Sequence, residues 1–91
     1  MKRVHVRIFG KVQGVFFRAH IKELADKLGI NGWVRNVSDG SVEAIFEGEE
    51  EKIREMIKFC EKGPEMARVD RISIQEEKPK GERYFRIIYY L

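Results

Sequence analysis

The spacing of apolar residues along this chain switches between a period of two and a period near 3.6, and the order of those switches admits few folds. Val4, Val6 and Ile8 alternate with His5, Arg7 and Phe9, the pattern of a half-buried strand. Ile21, Leu24, Ala25 and Leu28 then fall at i, i+3, i+4 and i+7, one stripe of a helix, with Gly29 as its stop. Trp33–Val37 and Val42–Phe46 read as strands, and the Asp39-Gly40 pair between them signals a hairpin. Glu49, Glu50 and Glu51 open a second helix, where negative charge suits the dipole; Ile53, Met56, Ile57 and Cys60 form its stripe and Gly63-Pro64 ends it. Val69–Gln75 reads as a strand, Lys78-Pro79-Lys80-Gly81 as a turn, and the β-branched and aromatic run Tyr84–Leu91 as a last strand.

The predicted order is β-α-β-β-α-β plus a further C-terminal strand. That is the ferredoxin-like, or split βαβ, arrangement of the α+β class. Two amphipathic helices are expected on one face of a mostly antiparallel sheet, within one domain spanning residues 1–91, as the length suggests.

Composition narrows the functional classes. No apolar run approaches the ~20 residues that cross a bilayer, so no membrane partner is expected. The first residues, MKRVHVRIFG, carry no secretory apolar region, and the single cysteine, Cys60, allows no internal disulfide. A cytoplasmic protein is expected. The net charge of +3 is unevenly spread: residues 1–40 hold eight Lys/Arg against three Asp/Glu, whereas residues 41–91 hold ten against twelve. That suits a local site for a small anion better than the broad basic footprint of a nucleic-acid binder.

The stretch Gly10-Lys11-Val12-Gln13-Gly14-Val15-Phe16-Phe17-Arg18 leaves a strand and enters a helix. Gly10 and Gly14 are expected to bracket the loop. Gly14 permits a turn and a close backbone approach to a ligand. Successive amides from Gln13, Gly14, Val15, Phe16, Phe17 and Arg18 can form an anion nest, and a helix starting near Arg18 adds free N–H groups and a positive dipole end. The Arg18 guanidinium has the fork geometry that grips two phosphate oxygens. The stretch is neither a Walker loop nor a dinucleotide fingerprint. By spacing alone, a structural βα loop with a solvated arginine is the favoured reading, and at least one of Val15, Phe16 and Phe17 reads as a residue tucked beneath the sheet edge.

That stretch resembles the first signature of the acylphosphatases, and Gly32-Trp33-Val34-Arg35-Asn36-Val37-Ser38-Asp39-Gly40-Ser41-Val42 resembles their second. The two occur in the family's order, and the likeness extends over essentially the whole chain. The resemblance implies hydrolysis of the carboxyl–phosphate bond of acyl phosphates by a small monomeric enzyme. It implies that Arg18 binds the phosphate, that the amides of Gln13 to Arg18 cradle it, and that Asn36 positions the attacking water. It further implies no metal and no organic cofactor, with inorganic phosphate as product and expected inhibitor. Chemically this is consistent. The leaving carboxylate has a conjugate-acid pKa of about 4 and departs without a proton donor.

Other residues receive plainer readings. His20 is expected exposed in the first helical turn and His5 partly solvated on the sheet; neither matches a metal spacing with Cys60, which sits on a core stripe. Trp33 reads as a half-buried strand aromatic, and Tyr84, Phe85, Tyr89 and Tyr90 as sheet packing. Two competing functions share these features. One is a non-catalytic module that binds phosphate or carbamoyl phosphate. The other is an RNA-binding domain of the same topology, against which Glu43 and Glu47 stand on the third strand, where they would repel phosphates.

Overall fold

The chain runs β1 (Lys2–Lys11), α1 (Phe17–Leu28), β2 (Asn31–Asn36), β3 (Val42–Gly48), α2 (Glu50–Lys62), β4 (Arg68–Glu77) and β5 (Phe85–Ile88). The structure, a computed structural model, describes residues 1–89. Tyr90 and Leu91, predicted to belong to the last strand and its packing, lie outside the described residues. The five strands form one sheet in the order β4-β1-β3-β2-β5. β1 pairs antiparallel with β3 and β4, and β2 pairs antiparallel with β3. β5 lies parallel to β2, with Trp33 opposite Arg86 and Arg35 opposite Ile88. The ferredoxin-like order with an added edge strand is therefore present.

Both helical stripes fall where their periods place them. Ile21 and Ala25 of α1, and Ile53, Met56 and Cys60 of α2, are almost fully buried. They meet the sheet face built by Val4, Val6, Ile8, Val34, Ala44 and Phe46. Burial in this layer pushes the Cys60 thiol far up, so the group is inert packing. Phe17, the first residue of α1, packs edge-on against Phe59 of α2 with ring centroids 5.9 Å apart, which joins the two helices beside the loop that precedes α1.

Three boundaries differ from the sequence reading. Gly10 does not open a loop: β1 continues through Lys11, with a bulge between Phe9 and Gly10. At Gly10 φ is +135° and a Cβ would lie 2.2 Å from the Arg68 carbonyl oxygen, so the glycine serves close strand approach. β2 begins at Asn31, and Val37 lies in the hairpin turn instead of the strand. The last strand starts at Phe85, because Tyr84 is exposed and its carbonyl instead accepts from Gly32 N–H.

The expectation that Glu47 would stand beside Glu43 as a charge repelling phosphates is also corrected. Glu43 and Glu47 do share a face, but Glu47 is buried. Its carboxylate accepts from the backbone N–H groups of Lys80 (2.7 Å), Gly81 (2.9 Å) and Glu82 (2.7 Å), and from Arg3 Nη1 at 3.3 Å. Arg3 also donates to Glu77 and Glu82, at 3.0 and 2.9 Å. Burial would push the Glu47 carboxyl up. The three loop amides and Arg3 outweigh it and hold the group below the usual carboxylate range. The loop after β4 is thus tied to the centre of the sheet and delivers β5 beside β2.

Candidate active site

Between β1 and α1 the chain is held by what it buries and by one side chain. Val12 and Val15 are buried, as is Phe17 at the start of the helix. Gln13 Nε2 donates to the carbonyls of Val37 (2.7 Å) and Ser41 (2.9 Å), which fastens this loop to the β2–β3 hairpin. That hairpin turn closes through Gly40 N–H to Val37 O at 3.0 Å and Val37 N–H to Ser41 O at 2.9 Å. Both acceptors of Gln13 therefore belong to the segment that immediately follows Asn36.

The loop backbone is left-handed at two places. Gly14 has φ +75°, and Phe16 has φ +64°, the sole non-glycine residue with positive φ among those described. Such a conformation costs a bulky residue roughly 1–2 kcal/mol. Phe16 is the N-cap of α1, yet its side chain is 69% exposed and gives the helix no capping acceptor; no acidic residue follows in the first turn. By contrast, α2 carries Glu50 and Glu51 in its first turn. Among the described residues, no backbone amide from Gln13 through Ala19 donates to a protein acceptor. The left-handed turn, the uncapped helix end and the free amides together leave a row of unpaired donors, an arrangement that suits an anion.

Arg18 and Asn36 converge on that row. Asn36 ends β2, opposite Val42 of β3, on the sheet face that carries the helices. Its Oδ1 is buried and has no hydrogen-bond partner among the described residues, an uncommon state for a buried polar atom. Two adjoining clefts meet here. One, of about 250 Å³, is lined by Gly14, Phe16, Phe17, Arg18, Asn36 and Tyr89 among others. The second, of about 290 Å³, is lined by Gln13, Arg18, Asn36, Ser38, Ile88 and Tyr89 among others. Arg18 makes no ion pair or protein hydrogen bond among the described residues; its Cζ stands 5.2 Å from the centre of the Tyr89 ring.

Of the residues expected at the site, Gln13, Gly14, Phe16, Phe17, Arg18 and Asn36 line these clefts. Val15 does not: its side chain is core, leaving only its amide for the cradle. Tyr89 had been read as sheet packing, but it is 73% exposed and sits over Arg18. Nothing in its local pattern signals this, because the position follows from the parallel docking of β5 on β2. His20 turns from the clefts. Its Nδ1 donates to the Phe16 carbonyl at 2.8 Å and its ring stacks on Phe59. His5 bonds Glu43 on the uncovered sheet face, and the Arg35 guanidinium lies over Trp33.

This arrangement has known relatives. Residues 4–87 match the family described as Acylphosphatase. An acylphosphatase of Roseiflexus sp. (strain RS-1) is 50% identical over 90 residues, covering 98% of this chain and 97% of that one. The crystal structure of acylphosphatase from Bacillus subtilis superposes with a TM-score of 0.94 at 34% identity, covering 98% of this chain and all of the other. A part of T. kodakarensis HypF, 12% of that chain, superposes on 99% of this one with a TM-score of 0.85 and 36% identity.

Proposed function

This chain belongs to the acylphosphatase family and hydrolyses the carboxyl–phosphate bond of acyl phosphates; we propose that it does so with Arg18 and the amides of Gln13 to Arg18 holding the phosphoryl group while Asn36 aims the attacking water. The observation that carries this reading is the meeting at one cleft of three features without partners among the described residues: the Arg18 guanidinium, a row of loop amides and the Asn36 side chain, whose oxygen is buried.

Each part has a distinct task. The phosphoryl group passes through a loose transition state, so placement and charge stabilisation dominate the barrier. Arg18 forks across two non-bridging oxygens, and the helix end and loop amides take the third. The Asn36 amide, which offers both a donor and an acceptor, holds the water and turns its lone pair toward phosphorus. The P–O bond to the acyl group breaks and its electron pair leaves on the carboxylate, which needs no proton. The water's proton passes to a phosphate oxygen, so carboxylate and inorganic phosphate are the products. Inorganic phosphate is proposed to occupy the same cradle and inhibit competitively. A cytoplasmic monomer with no metal or organic cofactor is the form proposed.

Acetyl phosphate hydrolysis tests the assignment. Arg18→Ala lowers kcat/KM by about 10³-fold or more, and Arg18→Lys fails nearly as badly because a point charge does not reproduce the fork. Near-normal turnover by Arg18→Ala would remove the guanidinium from the mechanism. The likeness to part of a HypF solved in a phosphate- and nucleotide-bound form supports a second reading, a phosphate-holding module; that reading predicts phosphate binding without turnover in the same assay.

A further inference from the structure

On the uncovered face of the sheet a groove of about 590 Å³ runs along β2 and β5. Trp33, Arg35, Glu43, Arg86, Ile88 and Tyr89 line it. Ile88 and Tyr89 line both this groove and one of the phosphate clefts, so the two spaces flank a single wall. We propose that this groove is the subsite for the acyl half of the substrate, and that it favours acyl phosphates whose acyl part carries a second anionic group. The proposal rests on the catalytic reading above and extends it to substrate class.

Room is the first argument. The clefts at Arg18 are about 250 and 290 Å³, just under the ~300 Å³ at which small-molecule pockets begin. They hold a phosphoryl group and a short acyl stub. A longer acyl part has to leave past a wall of the cleft. At the Ile88-Tyr89 wall the space beyond is a formed groove about twice as large.

Charge is the second. Parallel pairing sets Arg86 opposite Trp33 and Ile88 opposite Arg35, so these side chains share the groove face. Arg35 donates Nε to Glu43 at 2.6 Å, and His5 Nε2 bonds the other oxygen of that carboxylate at 2.6 Å. Burial would push the Glu43 carboxyl up, but those two bonds hold it below its usual range, so it stays ionised and engaged. Arg86 makes no ion pair or protein hydrogen bond among the described residues and is exposed. Two guanidinium groups against one carboxylate leave the groove one positive charge in excess, and the free one is Arg86. A carboxylate or phosphate on the far end of the acyl group is its complement, with Ile88 and the Trp33 ring along the path.

A matched pair of substrates isolates that charge: benzoyl phosphate and 4-carboxybenzoyl phosphate. The readout is the ratio of kcat/KM for the charged over the neutral substrate, in which intrinsic reactivity cancels between variants. An exposed ion pair is worth up to about fivefold, and reversing one partner adds repulsion, so Arg86→Glu is expected to lower the ratio about tenfold and Arg86→Met about threefold. Lys58→Glu, an equal charge change on the outer side of α2, is expected to leave the ratio within about twofold of wild type. A ratio for Arg86→Glu within about twofold of wild type overturns the proposal, as does an equal fall in Lys58→Glu, which would be a field effect of net charge. Arg86→Met covers the case in which the reversed charge disturbs folding. The underlying catalytic reading fails differently: it falls if Arg18→Ala keeps its activity on both substrates.

Discussion

Asn36 shows how a single atom defines a role. A buried carbonyl oxygen without a partner costs about 1–3 kcal/mol, and at the end of β2 nothing among the described residues relieves it. The same side chain lines both clefts, where its amide can orient a water. Asn36→Ala is therefore expected to lower kcat for acetyl phosphate by about 10²–10³-fold with a smaller change in KM. Steady-state kinetics check this; an equal loss in KM alone would make Asn36 a binding residue. Gln13 is a positioning residue of a different kind, since its side chain bonds the hairpin and not the cleft centre. Two hydrogen bonds of ordinary net strength set the expectation for Gln13→Ala: a loss of about 1–2 kcal/mol in stability and about tenfold in kcat/KM, because the cradle and Asn36 lose register. A stability loss with unchanged kcat/KM would reduce Gln13 to a structural tie. Arg18 and Asn36 were legible in the sequence because each sits within a local motif. The tasks of the Gln13 side chain and of Tyr89 were not, since their partners lie 24 and 71 residues away in the chain.

At the scale of elements, the sequence carried most of what the fold required. The helical stripes, the Asp39-Gly40 hairpin and the Gly63 stop are local signals, and each appears where its chemistry puts it. What escaped was the bulge at Gly10 and the reach of Glu47 to loop amides, both set by strands and loops that arrive later in the chain. The entry to α1 is the element with the sharpest consequence. A Cβ at Gly14 meets nothing within 4 Å, so the demand for glycine there is the φ of +75°, beside the proposed approach of a phosphoryl group. Gly14→Ala is expected to cost about 1 kcal/mol of stability and to raise KM for acetyl phosphate about tenfold by placing a methyl at the cradle. Thermal unfolding and KM, measured on the same preparation, separate the two effects. A loss of stability with KM unchanged would place the phosphoryl group elsewhere.

For the molecule as a whole, buried Arg3 and Glu47, with half-buried Glu77 and Glu82, join β1, β3, β4 and the loop before β5. Removing one member of a buried pair typically costs about 3–5 kcal/mol. Glu47→Ala also strands three loop amides, so a fall in Tm on the order of 15 °C is expected for a chain of this size. A change of only a few degrees would make the group dispensable. The pH dependence has a definite sign. Glu47 is depressed in the folded state relative to the unfolded chain, so its contribution is complete above about pH 5 and is lost as pH falls through the folded value. Urea unfolding from pH 7 to pH 3 should therefore lose less stability in Glu47→Gln than in wild type. The parallel edge strand has a temporal corollary. A nascent chain that has emerged only as far as Glu77 already holds both helices and the four antiparallel strands, along with Arg18 and Asn36, but it lacks Ile87 and Tyr89. Synthesis thus yields a near-complete body well before it yields a closed pocket, and the proposed grip on substrate waits for residues 78–89 to zip into place.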